Sequence, residues 1–275
     1  MSYCAPGKGD HKTCFSYKQL RTIADEFNKK RARNSGEKIR ITGTKYQLWE
    51  RISRKLSTEC NHEYCWIDRD FMKGCSDRDI LKQTFRPKRP CGKYQWLTTS
   101  NIHDVMKQYE QKHPDFMFLG AVPINFCEVM NTICTLNLKS VYSRGITKIG
   151  IVFNTDPSHK PGKHWISMFT DLKNRSISFF DSYAVCPPPA EIRRLIQHFK
   201  SYSKELYGTE NAFSVNCNNI RHQLANSECG VYSIYFLTES LKGRTFNDIT
   251  SNIKRDEEIN QFRHIYFSPD DSCHV

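Results

Sequence analysis

The sequence has no apolar run approaching the ~20 residues that a membrane-spanning helix needs. It has no internal repeat and no low-complexity segment. Its first twelve residues, Met1 to Lys12, lack the apolar stretch of a signal peptide, so a reducing compartment is expected. Cysteine, by contrast, is plentiful: twelve, at positions 4, 14, 60, 65, 75, 91, 127, 134, 186, 217, 229 and 273. A chain of 275 residues can build a core without covalent staples. A disulfide framework is therefore not expected, and most cysteines read as small buried apolar side chains. Hydrophobic residues make up 38% and charged residues 25%, the composition of a globular chain.

The charge is uneven. Residues 1–90 hold 21 Lys+Arg and 11 Asp+Glu, a net +10, whereas residues 91–275 hold 20 and 18, a net +2. A basic first third suits nucleic acid or another polyanion, or simply a solvated basic face. Two helices are expected there. One runs from a Ser16 cap to about Lys30, with Leu20, Ile23 and Phe27 on one face. The other runs from Thr44 to Leu56, with Thr44 and Gln47 as a capping box and Trp49, Ile52 and Leu56 inward. Arg86 to Gly92, rich in proline and charge, reads as a linker. The organisation expected is a basic helical arm over 1–90 and a larger domain over 91–275.

The larger block begins with a helix from about Asn101 to Gln111, with Ile102, Val105, Met106 and Tyr109 inward. Strands follow at 148–153, 164–169 and 176–181, the last two joined by the hairpin-length turn Asp171–Arg175. Pro189 opens a helix to about Tyr207, whose Ile192, Leu195, Ile196, Phe199, Tyr202 and Leu206 form a core stripe. A short strand at Phe213–Val215 and a buried helix from Cys229 to about Lys242 complete an α+β pattern, a central sheet with helices around it.

Four polar residues stand where this pattern turns apolar. His164 opens a strand and Asp181 closes its hairpin partner, so an antiparallel pair can bring them together. Cys229 begins the buried helix, where the helix dipole favours a thiolate. A neutral imidazole beside it can take the thiol proton, and a carboxylate on the other ring nitrogen fixes the tautomer. Gln223, six residues upstream, can join the Cys229 backbone N–H in an oxyanion hole. Gly230, lacking a side chain, would let a substrate backbone approach. Each residue also has a plainer reading: a structural cysteine, a strand-edge histidine, a turn-forming aspartate.

Gly162-Lys163-His164-Trp165, then Phe180-Asp181-Ser182, then Gln223 followed by Cys229-Gly230 resembles the ubiquitin-like-protein protease superfamily, which includes the SUMO proteases and the adenovirus proteinase. Asn219 to Gln223, Ser227 to Gly230 and Tyr232-Ser233 are more similar to the polyprotein proteases of large cytoplasmic DNA viruses, of the African swine fever virus type. The likeness spans about residues 96–267. It implies a papain-like, adenain-like core with a central mixed sheet flanked by helices, plus a small helical N-terminal arm. It assigns His164 as general base, Asp181 as orienting carboxylate, Gln223 as oxyanion donor and Cys229 as nucleophile. Trp165 matches the Trp that lines a narrow Gly-Gly cleft. The swine-fever-type enzymes carry Asn where this chain has Asp181, which brings it nearer the SUMO proteases at that position.

The function so implied is a cysteine endopeptidase that cleaves viral structural polyproteins after Gly-Gly-type sites during virion maturation. It would act as a monomer in the virion and host cytoplasm, without cofactor, metal or membrane. One alternative is a SUMO or ubiquitin-like-modifier isopeptidase. Another is a non-catalytic virion protein that binds nucleic acid. Several residues stay outside the site. His222 is expected to point away from Gln223, His159 belongs to a loop, and neither Cys186 nor Cys217 precedes a glycine at a helix start. Cys60 and Cys65, with Cys4, His11, Cys14 and Cys75, resemble a zinc set but lack a second tight pair. The region Ile41 to Leu56 faintly resembles a helix-extended-loop-helix DNA-binding module. Lys38, Arg40, Lys45, Arg51, Arg54 and Lys55 would then meet phosphates. The alternative is an arm that packs on the protease and helps recognise protein substrates.

Overall fold

A computed structural model describes residues 13–60, 63–77, 80 and 86–267. Cys4, His11 and Cys273 lie outside the described residues. Contacts divide the chain into two compact units, Met1–Arg86 and Pro87–Val275.

In the first unit, α1 (Tyr17–Lys30) and α2 (Lys45–Leu56) both start on capping boxes, Ser16 with Gln19 and Thr44 with Gln47. Leu20, Ile23 and Phe27 pack with Leu48, Ile52, Leu56, Trp66 and Phe71. Leu48, rather than Trp49, completes the buried i, i+4, i+8 row of α2. Trp49 is half-buried because its indole N–H donates to the Glu63 carboxylate at 2.8 Å.

The second unit runs α3 (Thr99–Lys112), β1 (Phe116–Pro123), three short helices α4 (Phe126–Val129), α5 (Asn131–Cys134) and α6 (Leu138–Ser143), then β2 (Lys148–Asn154), β3 (Trp165–Asp171) and β4 (Ser176–Phe180). It continues with α7 (Ala190–Ser201), α8 (Ser203–Tyr207), β5 (Ser214–Cys217), α9 (Cys229–Leu241), α10 (Phe246–Ser251), α11 (Asp256–Gln261) and α12 (Arg263–Tyr266). The five strands lie in sequence order. β1–β2 and β4–β5 are parallel; β2–β3 and β3–β4 are antiparallel. One face of this mixed sheet packs on α3 and α9–α12, the other on α4–α7. β2 is therefore buried on both faces, which suits its unbroken apolar run. The helix expected from Pro189 to Tyr207 breaks at Tyr202, yet Tyr202 and Leu206 still pack on the same cluster.

Three described cysteine pairs correct the expectation that disulfides are absent. Cys60–Cys65, Cys127–Cys134 and Cys186–Cys217 are bonded, with Cα–Cα separations of 6.1, 5.6 and 6.2 Å. Chain length argues only that the core needs no staples; it does not forbid local bridges, and two of these close sequence gaps of 5 and 7. The Cys60/Cys65 zinc candidates are thus covalently paired, and Cys75 and Cys229 are the free cysteines among the described residues.

The start of α9 is fixed by a buried ion pair. The Glu228 carboxylate accepts from Arg263 Nε at 2.9 Å, from an Arg263 terminal nitrogen at 3.0 Å and from Asn260 Nδ2 at 3.2 Å. Both charged side chains are 0% exposed. Removing one partner strands a buried charge, at a cost of about 3–5 kcal/mol. Arg263→Ala is therefore expected to lower the melting temperature of the protein by roughly 6–20 °C, read by circular dichroism.

Candidate active site

The register Ser167↔Phe180 carries the β3–β4 ladder to its end at His164 and Asp181. His164 lies one residue before β3 and Asp181 one residue after β4, so the strand ends present both side chains at the same edge. His164 Nε2 meets Asp181 Oδ1 at 2.7 Å, with side chains 13% and 5% exposed. The carboxylate can only accept, so the proton sits on Nε2 and Nδ1 is left for the thiol. Asp181 is itself held on both sides by one carboxamide. Its N–H donates to Asn218 Oδ1 at 2.9 Å, and Asn218 Nδ2 donates to its carbonyl at 2.7 Å. The carboxylate Oδ1 that meets His164 also accepts the Tyr183 N–H at 2.8 Å, and the Tyr183 ring lies 4.6 Å from the imidazole, nearly parallel to it.

Burial opposes a charge on His164, but hydrogen bonds to Asp181 and to Cys229, with the charges of both, outweigh it. The net effect raises the imidazole to about 9. Cys229 is buried and is the first residue of α9. The helix cap residue, Glu228, makes no side-chain cap because its carboxylate is turned to Arg263. That carboxylate therefore does not compete for the positive end of α9 at the thiol.

Gln223 is 0% exposed. Its Oε1 accepts from Ser182 Oγ at 2.6 Å, while Nε2 has no protein partner among the described residues. The Ser182 carbonyl accepts the N–H groups of His222 and Gln223, both at 2.9 Å. The oxyanion candidate is thus tied to the residue after Asp181, with its donor end unspent. His222 points elsewhere: its Nε2 lies 3.1 Å from the Thr250 carbonyl and its ring stands edge-on to Phe180.

Two substrate-side expectations fare differently. Trp165 is 6% exposed and its indole N–H donates to the Leu97 carbonyl at 2.8 Å. It lines a cavity of about 420 Å³ together with Trp96, Pro161 and Gly162. Gly230 turns its side-chain position toward Leu97. A Cβ there would lie 2.9 Å from Leu97 Cβ, so its missing side chain lets α9 pack against Leu97. Sequence reasoning missed Trp96, Tyr183 and Asn218. Trp96 is 42% exposed, which an apolar ring two residues before a helix cap does not announce. Tyr183 and Asn218 gain their roles from contacts with residues far away in sequence.

A thiol in contact with an imidazole, and that imidazole backed by a carboxylate, are the working parts of a thiol hydrolase. Residues 146–273 match the Ulp1 protease family, C-terminal catalytic domain. The chain is 32% identical to a protein of Acanthamoeba polyphaga mimivirus named as a candidate thiol protease, over 97% of this chain and 93% of that one. It is 26% identical to a cysteine protease of African swine fever virus, over 79% and 86%. The crystal structure of an African swine fever virus protease shares the fold, with a TM-score of 0.65 at 24% identity over 82% of this chain and 89% of that one. The chain belongs to the Ulp1 protease family and is a cysteine-type peptidase.

The raised imidazole sets a pH dependence. The imidazolium persists below about 9 and is lost as pH rises through that value. In Asp181→Asn the carboxamide keeps the ring in place but removes the charge that favours the cation. The alkaline limb of kcat/KM is expected near pH 9 in the parent and at lower pH in Asp181→Asn, measured on a fluorogenic peptide.

Proposed function

We propose that the protein is an endopeptidase that cleaves structural polyproteins after Gly-Gly-type sites during virion maturation, acting as a monomer in the virion and at the assembly site in host cytoplasm. The observation that carries the substrate reading is the cavity walled by Trp96 and by Trp165, the residue that follows His164 in the chain. Two flat rings suit an extended backbone that bears no side chains. The viral setting is supported by relatives from two viruses.

In the reaction, His164 Nδ1 takes the proton from Cys229 Sγ. The thiolate attacks the scissile carbonyl, and its oxygen becomes the oxyanion. Gln223 Nε2 and the Cys229 backbone N–H donate to it. The imidazolium then gives its proton to the leaving amine, and the C–N bond breaks to leave a thioester. Water, deprotonated by His164, attacks the thioester and releases the acid and the thiol. Asp181 holds the tautomer and steadies the cation throughout.

A vinyl-methyl-ester probe ending in Gly-Gly is expected to label Cys229, with the adduct located by mass spectrometry. Cys229→Ala removes cleavage, and Gln223→Ala lowers kcat by about 10²–10³-fold. Labelling at another cysteine, or cleavage surviving in Cys229→Ala, contradicts the assignment. A relative from African swine fever virus carries the name SUMO-1 cysteine protease. Cleavage of a SUMO conjugate without cleavage of a capsid precursor would favour the isopeptidase reading.

We infer a second partner for the first unit, the phosphates of duplex nucleic acid. Residues 38–55 hold six Lys/Arg against one carboxylate, Glu50. Arg51 donates to the Arg40 and Thr42 carbonyls at 2.9 and 2.6 Å, which lays α2 along the extended segment carrying Lys38 and Arg40. Lys38, Arg40, Arg54 and Lys55 are exposed. Among the described residues they form no ion pair, whereas Arg31 binds Glu59 and Asp70. By fluorescence anisotropy, binding of a 20-base-pair DNA by the full chain is expected to weaken by roughly 10²-fold from 50 to 200 mM salt. Lys38→Glu with Arg40→Glu should flatten the log–log salt slope by about 2. An unchanged slope would contradict the proposal.

A further inference from the structure

Tyr183 contacts both His164 and Asp181. Its N–H donates to Asp181 Oδ1, the same oxygen that meets His164 Nε2. Its ring lies 4.6 Å from the imidazole with planes 23° apart. Its hydroxyl donates at 2.8 Å to the carbonyl of Ala225, in the loop between Gln223 and Cys229. The Arg221 guanidinium carbon lies 4.8 Å from the Tyr183 ring centroid. The phenol ring is therefore in contact with both the His164 imidazole and the Arg221 guanidinium.

Arg221 is fixed in turn. Its Nε donates to the Gln223 carbonyl at 2.7 Å, and Arg255 donates to the Arg221 and His222 carbonyls at 3.1 and 3.2 Å. Asp256 Oδ2 accepts the N–H groups of Leu224 and Ala225, each at 2.9 Å. The loop that supplies Gln223 is therefore clamped by Arg221, Arg255 and Asp256, and Tyr183 links it to the imidazole.

We propose that Tyr183 is a positioning residue. It fixes the plane of the His164 ring and shields the His164–Asp181 hydrogen bond from water, with the Arg221 guanidinium against its ring as a second support. The inference rests on the catalytic roles proposed above for His164 and Cys229. The aromatic face favours the imidazolium over the neutral ring, so the stack strengthens as the proton arrives. Shielding also strengthens the imidazole–carboxylate pair, because a charged hydrogen bond weakens when water enters. The charged groups facing His164 are Asp181 and Cys229; those around Tyr183 are Arg221, Asp256, Asp181 and Cys229.

Tyr183→Phe keeps the stack and loses only the hydroxyl bond to Ala225. Tyr183→Leu removes the stack. The experiment measures kcat, KM and the pH dependence of Cys229 alkylation by iodoacetamide, with a thermal melt of each variant. Tyr183→Leu is expected to lower kcat roughly 10–100-fold, less than the roughly 10²–10⁴-fold of a lost general base because the imidazole itself remains, with KM little changed. Its alkaline limb should move from about 9 toward the ordinary imidazole value. Tyr183→Phe should keep both the rate and the limb close to the parent. Arg221→Ala should shift the limb the same way by less, and covers the case in which Tyr183→Leu melts early. An unshifted limb in Tyr183→Leu or Arg221→Ala, or a Tyr183→Phe as impaired as Tyr183→Leu, overturns the role. If alkylation of Cys229 in the parent shows no limb that His164→Ala removes, the catalytic assignment itself fails.

Discussion

The antiparallel register of β3 on β4 is the constraint on which the site depends. Ser167 opposite Phe180 brings His164 and Asp181 to one edge of the sheet, where they meet at 2.7 Å. A slip of one residue would turn every β4 side chain to the opposite face and part them. The register is secured from both sides. Ile166, Met168, Ile177 and Phe179 bury on one face, while Trp165, Phe169 and Phe180 bury on the other. The same packing that stabilises the sheet therefore fixes the separation of imidazole and carboxylate.

Cys229 is positioned by a different device. α9 is buried along almost its whole length, so its place is set by apolar contacts with the sheet and α3. Its first turn is fixed by polar contacts instead. Glu228 turns its carboxylate into the Arg263 and Asn260 side chains, and Gly230 allows Leu97 to press against the helix. A buried pair of this kind is weak evidence of stabilisation. Its clearer effect is to keep a carboxylate away from the thiol while leaving the helix start rigid.

Much of this was legible in the sequence. The capping boxes at Ser16 and Thr44, the 164–181 hairpin and the buried helix opening at Cys229 all rest on local rules of periodicity and capping. The meeting of His164 with Asp181 and the place of Cys229 at a helix start were legible because polar residues interrupted apolar elements at their ends. What escaped was non-local. β1 carries no alternating pattern, since its residues are either buried or half-buried along the whole strand, and Phe118 to Ala121 holds a register irregularity. The Cys186–Cys217 disulfide joins cysteines 31 residues apart, which only the fold brings together. Gly230 read as an opening for substrate because its true neighbour, Leu97, lies far away in the chain. Tyr183 and Asn218 drew no reading from the sequence because their partners are the His164 imidazole and the backbone of Asp181, 19 and 37 residues away.

The protonation of one ring decides whether this site works as a thiol hydrolase. Heteronuclear NMR of the His164 imidazole, followed from about pH 5 to about pH 10 in the intact protein, tests it most directly, across the span in which a histidine titrates. Nε2 is predicted to carry its proton across this range, and the ring to titrate near 9, where the Asp181 and Cys229 contacts place it. A ring that titrates near the ordinary histidine value of about 6.5, or whose proton resides on Nδ1, would contradict it.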